Sequence, residues 1–115
     1  MQKVALVAFN GETMCFAHAL LNALDMHSRN YDVKLIIEGS AARQVLDLSV
    51  PGVPFADLYA KVKAAGLITA VCRACASKMG SLEAAEAQSL PLVGEMSGHP
   101  PLAEWVQGGY QIITF

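Results

Sequence analysis

Short apolar segments alternate along the chain with longer segments whose apolar residues recur at helical spacing. The first short segment is nearly continuous from Val4 to Phe9 and is followed by the polar residues NGET. It is too short for a helix and is typical of a strand buried on both faces. Phe16, Leu20 and Leu24 then recur at the spacing of an amphipathic helix, which we expect to end at SRNYD. We predict that the first segment forms the central strand of a sheet.

The same alternation continues to the C-terminus. We predict further strands in DVKLIIEG, LITAVC, LPLVGE and YQIITF. Between them we predict a short helix capped by Ser40, a helix in PFADLYAKVKAAG, a helix after the cysteines that resumes at Ser81, and a last helix beginning at Pro101. This order favours an α/β fold, with a five-stranded, mainly parallel sheet covered by helices on both faces. The 115 residues contain no linker-like stretch, so we predict one domain over residues 1–115.

The loops that follow the first four predicted strands hold most of the residues able to do chemistry. In open parallel sheets, ligands bind beyond the carboxyl ends of the strands. All three cysteines and one of the three histidines fall in these loops, with Gly11, Thr13, Ser40 and Ser97 beside them. We predict a reactive group of Cys72, Cys75 and His99 next to a rim pocket formed by Asn10, Glu12, Cys15, Glu38, Arg73 and Glu95.

Cys72 and Cys75 form a C-x-x-C pair at the point where the strand LITAVC gives way to a helix. Such a pair in a reducing compartment is more often catalytic, redox-active or metal-bound than a structural disulfide. A thiol in the first turn of a helix faces free backbone N–H groups, which favour the thiolate, and Arg73 and Lys78 add positive charge nearby. We therefore predict that Cys75 is the nucleophile and that Cys72 is more deeply buried.

Composition and charge narrow the classes of function. The net charge of −2 comes from scattered single charges, so we expect no nucleic-acid partner. The apolar N-terminal stretch is too short for a signal peptide and no run is long enough to cross a bilayer, which predicts a cytoplasmic protein without a membrane partner. No glycine-rich phosphate loop is present, and we expect no cofactor. With 54% hydrophobic and only 16% charged residues, we expect self-association.

Three stretches, VALVAFNGETMCFAHALLNALD, VCRACASKMG and LVGEMSGHPPLAEWVQGGYQIITF, resemble the DsrE/DsrF-like family of small sulfur-metabolism proteins, in one of its cytoplasmic single-domain branches. The resemblance implies a three-layer α/β/α fold, homo-oligomers that are often trimers or hexamers, and partner proteins that donate and accept sulfur. It also implies one cysteine, in the loop after the third strand, that carries sulfur as a persulfide. That cysteine maps onto Cys75, and Cys72 is the extra thiol of C-x-x-C variants.

The residues by themselves are compatible with three functions. In the first, sulfur transfer or thiol redox, Cys75 accepts a sulfane sulfur, Cys72 resolves the persulfide, and His99 or Arg73 tunes the charge. In the second, Cys15, Cys72, Cys75 and His99 form a tetrahedral, zinc-like metal set. In the third, an oligomeric protein without catalytic activity binds a small ligand in the rim pocket, and the thiols only pack.

Overall fold

Five strands form a single, all-parallel sheet in the order β4-β3-β2-β1-β5. The computed structural model describes all residues from 1 to 115. The strands are β1 (Lys3–Ala8), β2 (Asp32–Ile37), β3 (Ile68–Cys72), β4 (Leu92–Val93) and β5 (Gln111–Thr114). The apolar runs therefore predicted all five strands, and the parallel α/β class is confirmed.

The sequence suggested that the first strand is the centre of the sheet, and this prediction is wrong. β1 lies between β2 and β5, and β2 is the middle strand. A run of apolar residues identifies an interior strand, because both its faces are covered. Such a run does not show which interior strand is the middle one, because β2 is almost as fully buried as β1.

Six α-helices and one 3₁₀ helix connect the strands. They are α1 (Thr13–Ser28), a 3₁₀ helix (Gly39–Arg43), α2 (Gln44–Asp47), α3 (Ala56–Ala64), α4 (Arg73–Met79), α5 (Leu82–Ala87) and α6 (Ala103–Gln107). None of them combines the length and the apolar character that crossing a membrane requires.

Two predicted helix caps act differently in the structure. Ser40 lies inside the 3₁₀ helix, and its hydroxyl accepts a hydrogen bond from the Gly11 N–H at 2.8 Å. Ser81 does precede α5, but its hydroxyl donates to the Ala42 carbonyl at 2.8 Å instead of capping the helix. Both serines therefore join separate segments, which their local sequence could not indicate.

The two faces of the sheet carry cores of unequal size. On the first face, 23 buried residues form one cluster, in which Leu6 of β1 packs with side chains from α1, α3, α4 and α5. On the second face, a cluster of five buried residues is covered by Trp105 of α6, with Val7 of β1 beneath it. The result is a three-layer α/β/α fold in which one outer layer is a single short helix.

A crevice lies at the carboxyl ends of β3 and β4, because the chain leaves these two strands on opposite faces of the sheet. The two strands are neighbours, yet β3 leads into α4 on the first face, while the chain after β4 leads to α6 on the second face. Connections that diverge in this way mark the usual ligand site of an open parallel sheet. The paired cysteines follow β3 and His99 follows β4, so both reach the crevice.

Candidate functional site

The junction of β3 and α4 brings the two cysteines together. Cys72 is the last residue of β3 and the N-cap of α4, and Cys75 is the third residue of that helix. The backbone N–H of Cys75 donates to the Cys72 sulfur at 3.2 Å, and the two Cα atoms are 5.2 Å apart. The structure shows the pair as a disulfide. The strand-to-helix turn itself therefore sets the spacing of the two sulfur atoms.

A tight turn after β4 places the histidine. Met96 and His99 exchange backbone hydrogen bonds of 3.0 and 2.9 Å, and the two residues between them, Ser97 and Gly98, both have positive φ angles of 50° and 93°. Positive φ at both central positions is the signature of a type I′ turn. The Gly98 carbonyl accepts the Ala74 N–H at 2.9 Å. This bond docks the turn against the start of α4.

His99 faces both sulfur atoms from this turn. Its Nδ1 atom lies 3.1 Å from Cys72 Sγ and 3.6 Å from Cys75 Sγ. The three potential ligand atoms lie within 4.8 Å of one another, and no other cysteine, histidine or carboxylate belongs to this group. Cys15, which we had included in a four-residue metal set, is therefore not a member. It lies in the first turn of α1 as a free, half-buried thiol.

A cavity of about 440 Å³ opens beside this group, lined by Phe9, Gly39, Ser40, Ala74, Cys75, Lys78, Met79 and His99. Cys75 reaches it with 8% of its surface exposed, whereas Cys72 is fully buried and does not line it. The expected difference in burial between the two thiols is thus present. A second cavity of about 410 Å³, bounded by Gln44 and Pro54, contains no cysteine or histidine.

The helix start does not favour Cys75 in the way that the sequence suggested. We expected the free N–H groups of the first turn to act on Cys75, but Cys72 at the N-cap accepts one of them. What distinguishes Cys75 is its access to the cavity. Lys78, one helical turn further along α4, lines the same cavity and brings the positive charge that we expected near Cys75.

None of the six predicted rim residues lines this cavity. Asn10, Glu12, Cys15, Arg73 and Glu95 do not line the cavity. The Asn10 side chain accepts the Glu12 N–H at 2.9 Å, and Arg73 extends to the Leu92 carbonyl at 3.5 Å. A position at the carboxyl edge fixes the loop in which a residue lies, but not the direction of its side chain. Phe9 and Met79 also line the cavity. They are apolar, so a search of the loops for reactive side chains does not find them.

Glu38 does not line the cavity either. The residue is 9% exposed, and burial raises the pKa of its carboxyl, an effect that the positive charge of His99 opposes. Glu38 therefore belongs to the electrostatic surroundings of His99, close enough for the two charges to interact.

The fold and the site together define a class, an open parallel α/β protein with a C-x-x-C pair and a histidine at the crevice between β3 and β4. The family model of the DsrE/DsrF-like family matches residues 3–115, so the chain belongs to that family. This confirms the resemblance seen in the sequence.

Two archaeal proteins and one bacterial structure are similar to this chain. An uncharacterized protein of Methanocaldococcus jannaschii, MJ0733, is 34% identical over 96 residues, which is 84% of this chain and 76% of that protein. An uncharacterized protein of Archaeoglobus fulgidus is 45% identical over 40 residues, 35% of this chain and 66% of that protein. The structure of BT1422, a conserved protein of unknown function from Bacteroides thetaiotaomicron, superposes with a TM-score of 0.70 at 15% identity, covering 98% of this chain and 95% of that one. The last similarity concerns the fold alone.

Proposed function

We propose that this protein transfers sulfur, or exchanges thiol and disulfide, through Cys75. Membership of the DsrE/DsrF-like family supports a role in sulfur metabolism. The observation that carries the proposal is the arrangement of three groups: Cys75 at the cavity, Cys72 buried behind it within bonding distance, and His99 facing both sulfur atoms. A structural pair of cysteines does not require an open cavity on one sulfur or an imidazole against both.

The chemistry begins with the reduced pair. The Cys75 thiolate attacks the outer sulfur of a donor persulfide, R–S–SH, forming Cys75–S–SH and releasing the donor thiolate. An acceptor thiolate then takes the outer sulfur and leaves the Cys75 thiolate. When no acceptor is present, the Cys72 thiolate attacks the inner sulfur of the persulfide. This step forms the Cys72–Cys75 disulfide and releases hydrosulfide.

The cavity suits a small anion at Cys75. The thiolate and the persulfide are both negatively charged at neutral pH, and Lys78 supplies a positive group on the cavity wall. Positive neighbours favour a thiolate and raise its share at neutral pH. Phe9 and Met79 form the apolar part of the wall.

Mass spectrometry with trypsin tests this proposal, because cleavage after Arg73 separates the two cysteines. Cys72 falls in peptide 64–73, Cys75 in peptide 74–78 and Cys15 in peptide 4–29. We expect that reduced Cys72→Ser protein treated with glutathione persulfide gains the mass of one sulfur atom on peptide 74–78. The unaltered protein should instead yield the two peptides joined by a disulfide and release hydrosulfide.

Two further variants complete the experiment. Cys75→Ser should gain no sulfur on peptide 64–73 or on peptide 74–78, and Cys15→Ser should behave as the unaltered protein. Sulfur found on peptide 64–73 of Cys75→Ser at an unchanged rate would assign the nucleophile to Cys72. The absence of added sulfur from every variant would reject sulfur transfer.

The proposal includes a reducing, cytoplasmic location and a ring of three subunits, or a hexamer of two such rings, that meets donor and acceptor proteins. Support for assembly comes from the resemblance and from large apolar side chains that are more than half exposed, among them Phe9 at the cavity, Met14 and Val106. Size exclusion with light scattering at micromolar concentration measures the subunit number. A stable monomer would reject the ring.

A further inference from the structure

We infer that the reduced site binds one thiophilic divalent metal ion, Zn²⁺ or an ion of similar preference, through Cys72 Sγ, Cys75 Sγ and His99 Nδ1. This inference goes beyond sulfur transfer and does not depend on it. Two thiolates and one imidazole are the donor atoms that zinc prefers in proteins. The three ligands come from one strand-to-helix junction and one docked turn, so the polypeptide holds them together without a metal.

The two nitrogen–sulfur distances are close to those around a tetrahedral ion. With a Zn–S bond of about 2.3 Å and a Zn–N bond of about 2.0 Å, tetrahedral angles place nitrogen and sulfur about 3.5 Å apart and two sulfur atoms about 3.8 Å apart. The observed separations of His99 Nδ1 from the two sulfur atoms are 3.1 and 3.6 Å. Only the sulfur atoms have to separate, which they do once the disulfide is reduced.

The site would leave one coordination position open. Cys75 and His99 line the cavity and Cys72 lies behind them, so the bound ion faces the cavity. Three protein ligands with a fourth position for water or an anion describe the reactive type of zinc site, in contrast to closed structural sites. Cys15 is not needed as a fourth ligand, which is consistent with its separate place on α1.

The charge of the ligands themselves favours a cation. Two thiolates at the same place would carry two negative charges, against the single positive charge of Lys78 on the cavity wall. Arg73, the basic residue next to Cys72 in sequence, is exposed and turned toward the Leu92 carbonyl, so it does not occupy the position of the ion.

Disulfide formation and metal binding use the same sulfur atoms and exclude each other. Zn²⁺ binds the reduced pair by displacing two thiol protons to solvent. In the disulfide, neither sulfur is a thiolate, and only the imidazole remains. The redox state of the pair therefore decides whether the ion is held, and the ion in turn protects the thiols from oxidation.

Competition against a chromophoric zinc chelator tests the inference on the full-length protein. Protein reduced with a phosphine, freed of metal and kept under argon, should bind one Zn²⁺ per chain. Protein oxidised beforehand with glutathione disulfide should bind none. We expect His99→Gln to weaken binding by about 100-fold or more, since loss of a mere hydrogen-bonding partner of a ligand already costs about 10- to 100-fold. Cys15→Ser should bind as the unaltered protein does.

Cobalt absorption separates the loss of a ligand from the loss of the fold. Cys72 is fully buried, so a loss of binding in Cys72→Ser has two explanations, loss of the ligand and unfolding of the protein, and circular dichroism distinguishes them. With Co²⁺, His99→Gln should keep the charge-transfer absorption of two thiolates, and a folded Cys72→Ser should keep about half of it. Reduced protein that fails to compete for Zn²⁺, or a variant of Cys15 that loses binding while His99→Gln retains it, would overturn the inference.

Failure here is distinguishable from failure of the proposed function. Sulfur on peptide 74–78 in metal-free protein, together with no bound Zn²⁺, would reject only the metal site. Stoichiometric Zn²⁺ without any added sulfur would reject only sulfur transfer.

Discussion

We call the side of the sheet where the strands begin its amino edge and the side where they end its carboxyl edge. The polar residues at these two edges differ in how they are paired. At the amino ends of β1, β2 and β5, the Tyr110 hydroxyl donates to Asp32 at 2.6 Å, and the Lys34 ammonium lies 3.6 Å from the same carboxylate. The Lys3 ammonium lies 4.6 Å from the centre of the Tyr110 ring and donates to the Gly108 carbonyl. Each of these three charged side chains therefore has a partner of the opposite sign, an aromatic ring or a carbonyl.

At the carboxyl ends of β2, β3 and β4 the pairing is incomplete. Glu38 is buried without a lysine or arginine partner, and His99 faces sulfur atoms instead of a carboxylate. At the amino edge, by contrast, Asp32, Tyr110 and the two lysines bind one another. The other edge keeps a carboxylate, an imidazole and two sulfur atoms near a cavity, and such unpaired groups are typical of functional sites. Substitutions at the amino edge should therefore leave the reactivity of Cys75 unchanged, whereas substitutions that remove or move His99 at the carboxyl edge should lower it.

The largest effect is expected from His99→Gln on the reactivity of Cys75. The imidazole lies against the sulfur atoms and can take up or return a proton, a contribution that is commonly about 100-fold or more in catalysis. Alkylation requires only the thiolate, so we expect the rate at Cys75 in reduced protein near neutral pH to fall by about tenfold. The measurement is the rate at which iodoacetamide modifies peptide 74–78.

Tyr110→Phe at the opposite edge is the matched control, and its alkylation rate should not change. An equal decrease in both variants would mean that the rate follows stability and not the imidazole. An unchanged rate in His99→Gln would remove His99 from the reactive group.

The second effect is a loss of stability when the turn that carries His99 is changed. Gly98 has a φ angle of 93°, and an added Cβ atom would lie 2.9 Å from the Ala74 Cβ atom. Gly98→Ala should lower the free energy of unfolding by about 1–3 kcal/mol through strain, with a further loss from the clash. Urea unfolding measures this, and alkylation of Cys75 should slow as the histidine moves.

Gly80→Ala separates strain from clash. Gly80 also has a positive φ angle, of 75°, but an added Cβ atom there meets nothing within 4 Å. It should lose stability by strain alone and keep its alkylation rate. If Gly98→Ala were no more harmful than Gly80→Ala, the docking of the turn on α4 would contribute little.

The elements of this fold could be predicted because each has a local cause. Apolar runs gave all five strands, and the C-x-x-C spacing gave the pair at the helix start. The residues that line the cavity could be predicted only in part. Residues two apart in a helix point about 200° apart, so Arg73 and Cys75 share a loop but face different surroundings. Helical spacing from Cys75 would have selected Lys78 and Met79 in place of Arg73.

The position of His99 could not be obtained in the same way. Ser97-Gly98 indicates a turn from sequence alone. Its docking depends on the Gly98 carbonyl meeting the Ala74 N–H, a contact between segments 24 residues apart. Similarly, the place of β1 in the sheet depends on how β5 pairs with it, which no local pattern records.

The third effect concerns stability at the amino edge. Tyr110→Phe removes the hydrogen bond to Asp32 and should cost about 0.5–1.5 kcal/mol at neutral pH, toward the lower end because the carboxylate is about one-third exposed. The hydrogen bond from Tyr110 and then the Lys34 charge hold the pKa of Asp32 below its usual value of 3.8. This stabilisation is present above that value and is lost as the pH falls through the lowered pKa.

The loss in Tyr110→Phe should therefore shrink in acid, which urea unfolding at pH 7 and pH 3 would measure. Cys75 should remain as reactive as before at pH 7. A cost that is the same at both pH values would show that the hydroxyl does not act through the Asp32 carboxylate.

The smallest effect has the opposite sign and comes from Glu38. Burial raises the pKa of its carboxyl above the usual 4.5, so the group stabilises the fold relative to the unfolded chain only in acid, and this contribution is lost as the pH rises through the raised pKa. Glu38→Gln removes the buried charge and should raise the free energy of unfolding at pH 7 by up to about 1 kcal/mol, with no gain at pH 4. Glu12→Gln, at an exposed position, should change neither value. A loss of stability in Glu38→Gln at pH 7 would mean that the ionised carboxylate is held favourably, as by the charge of His99. The two edges would then no longer differ in how they treat a carboxylate.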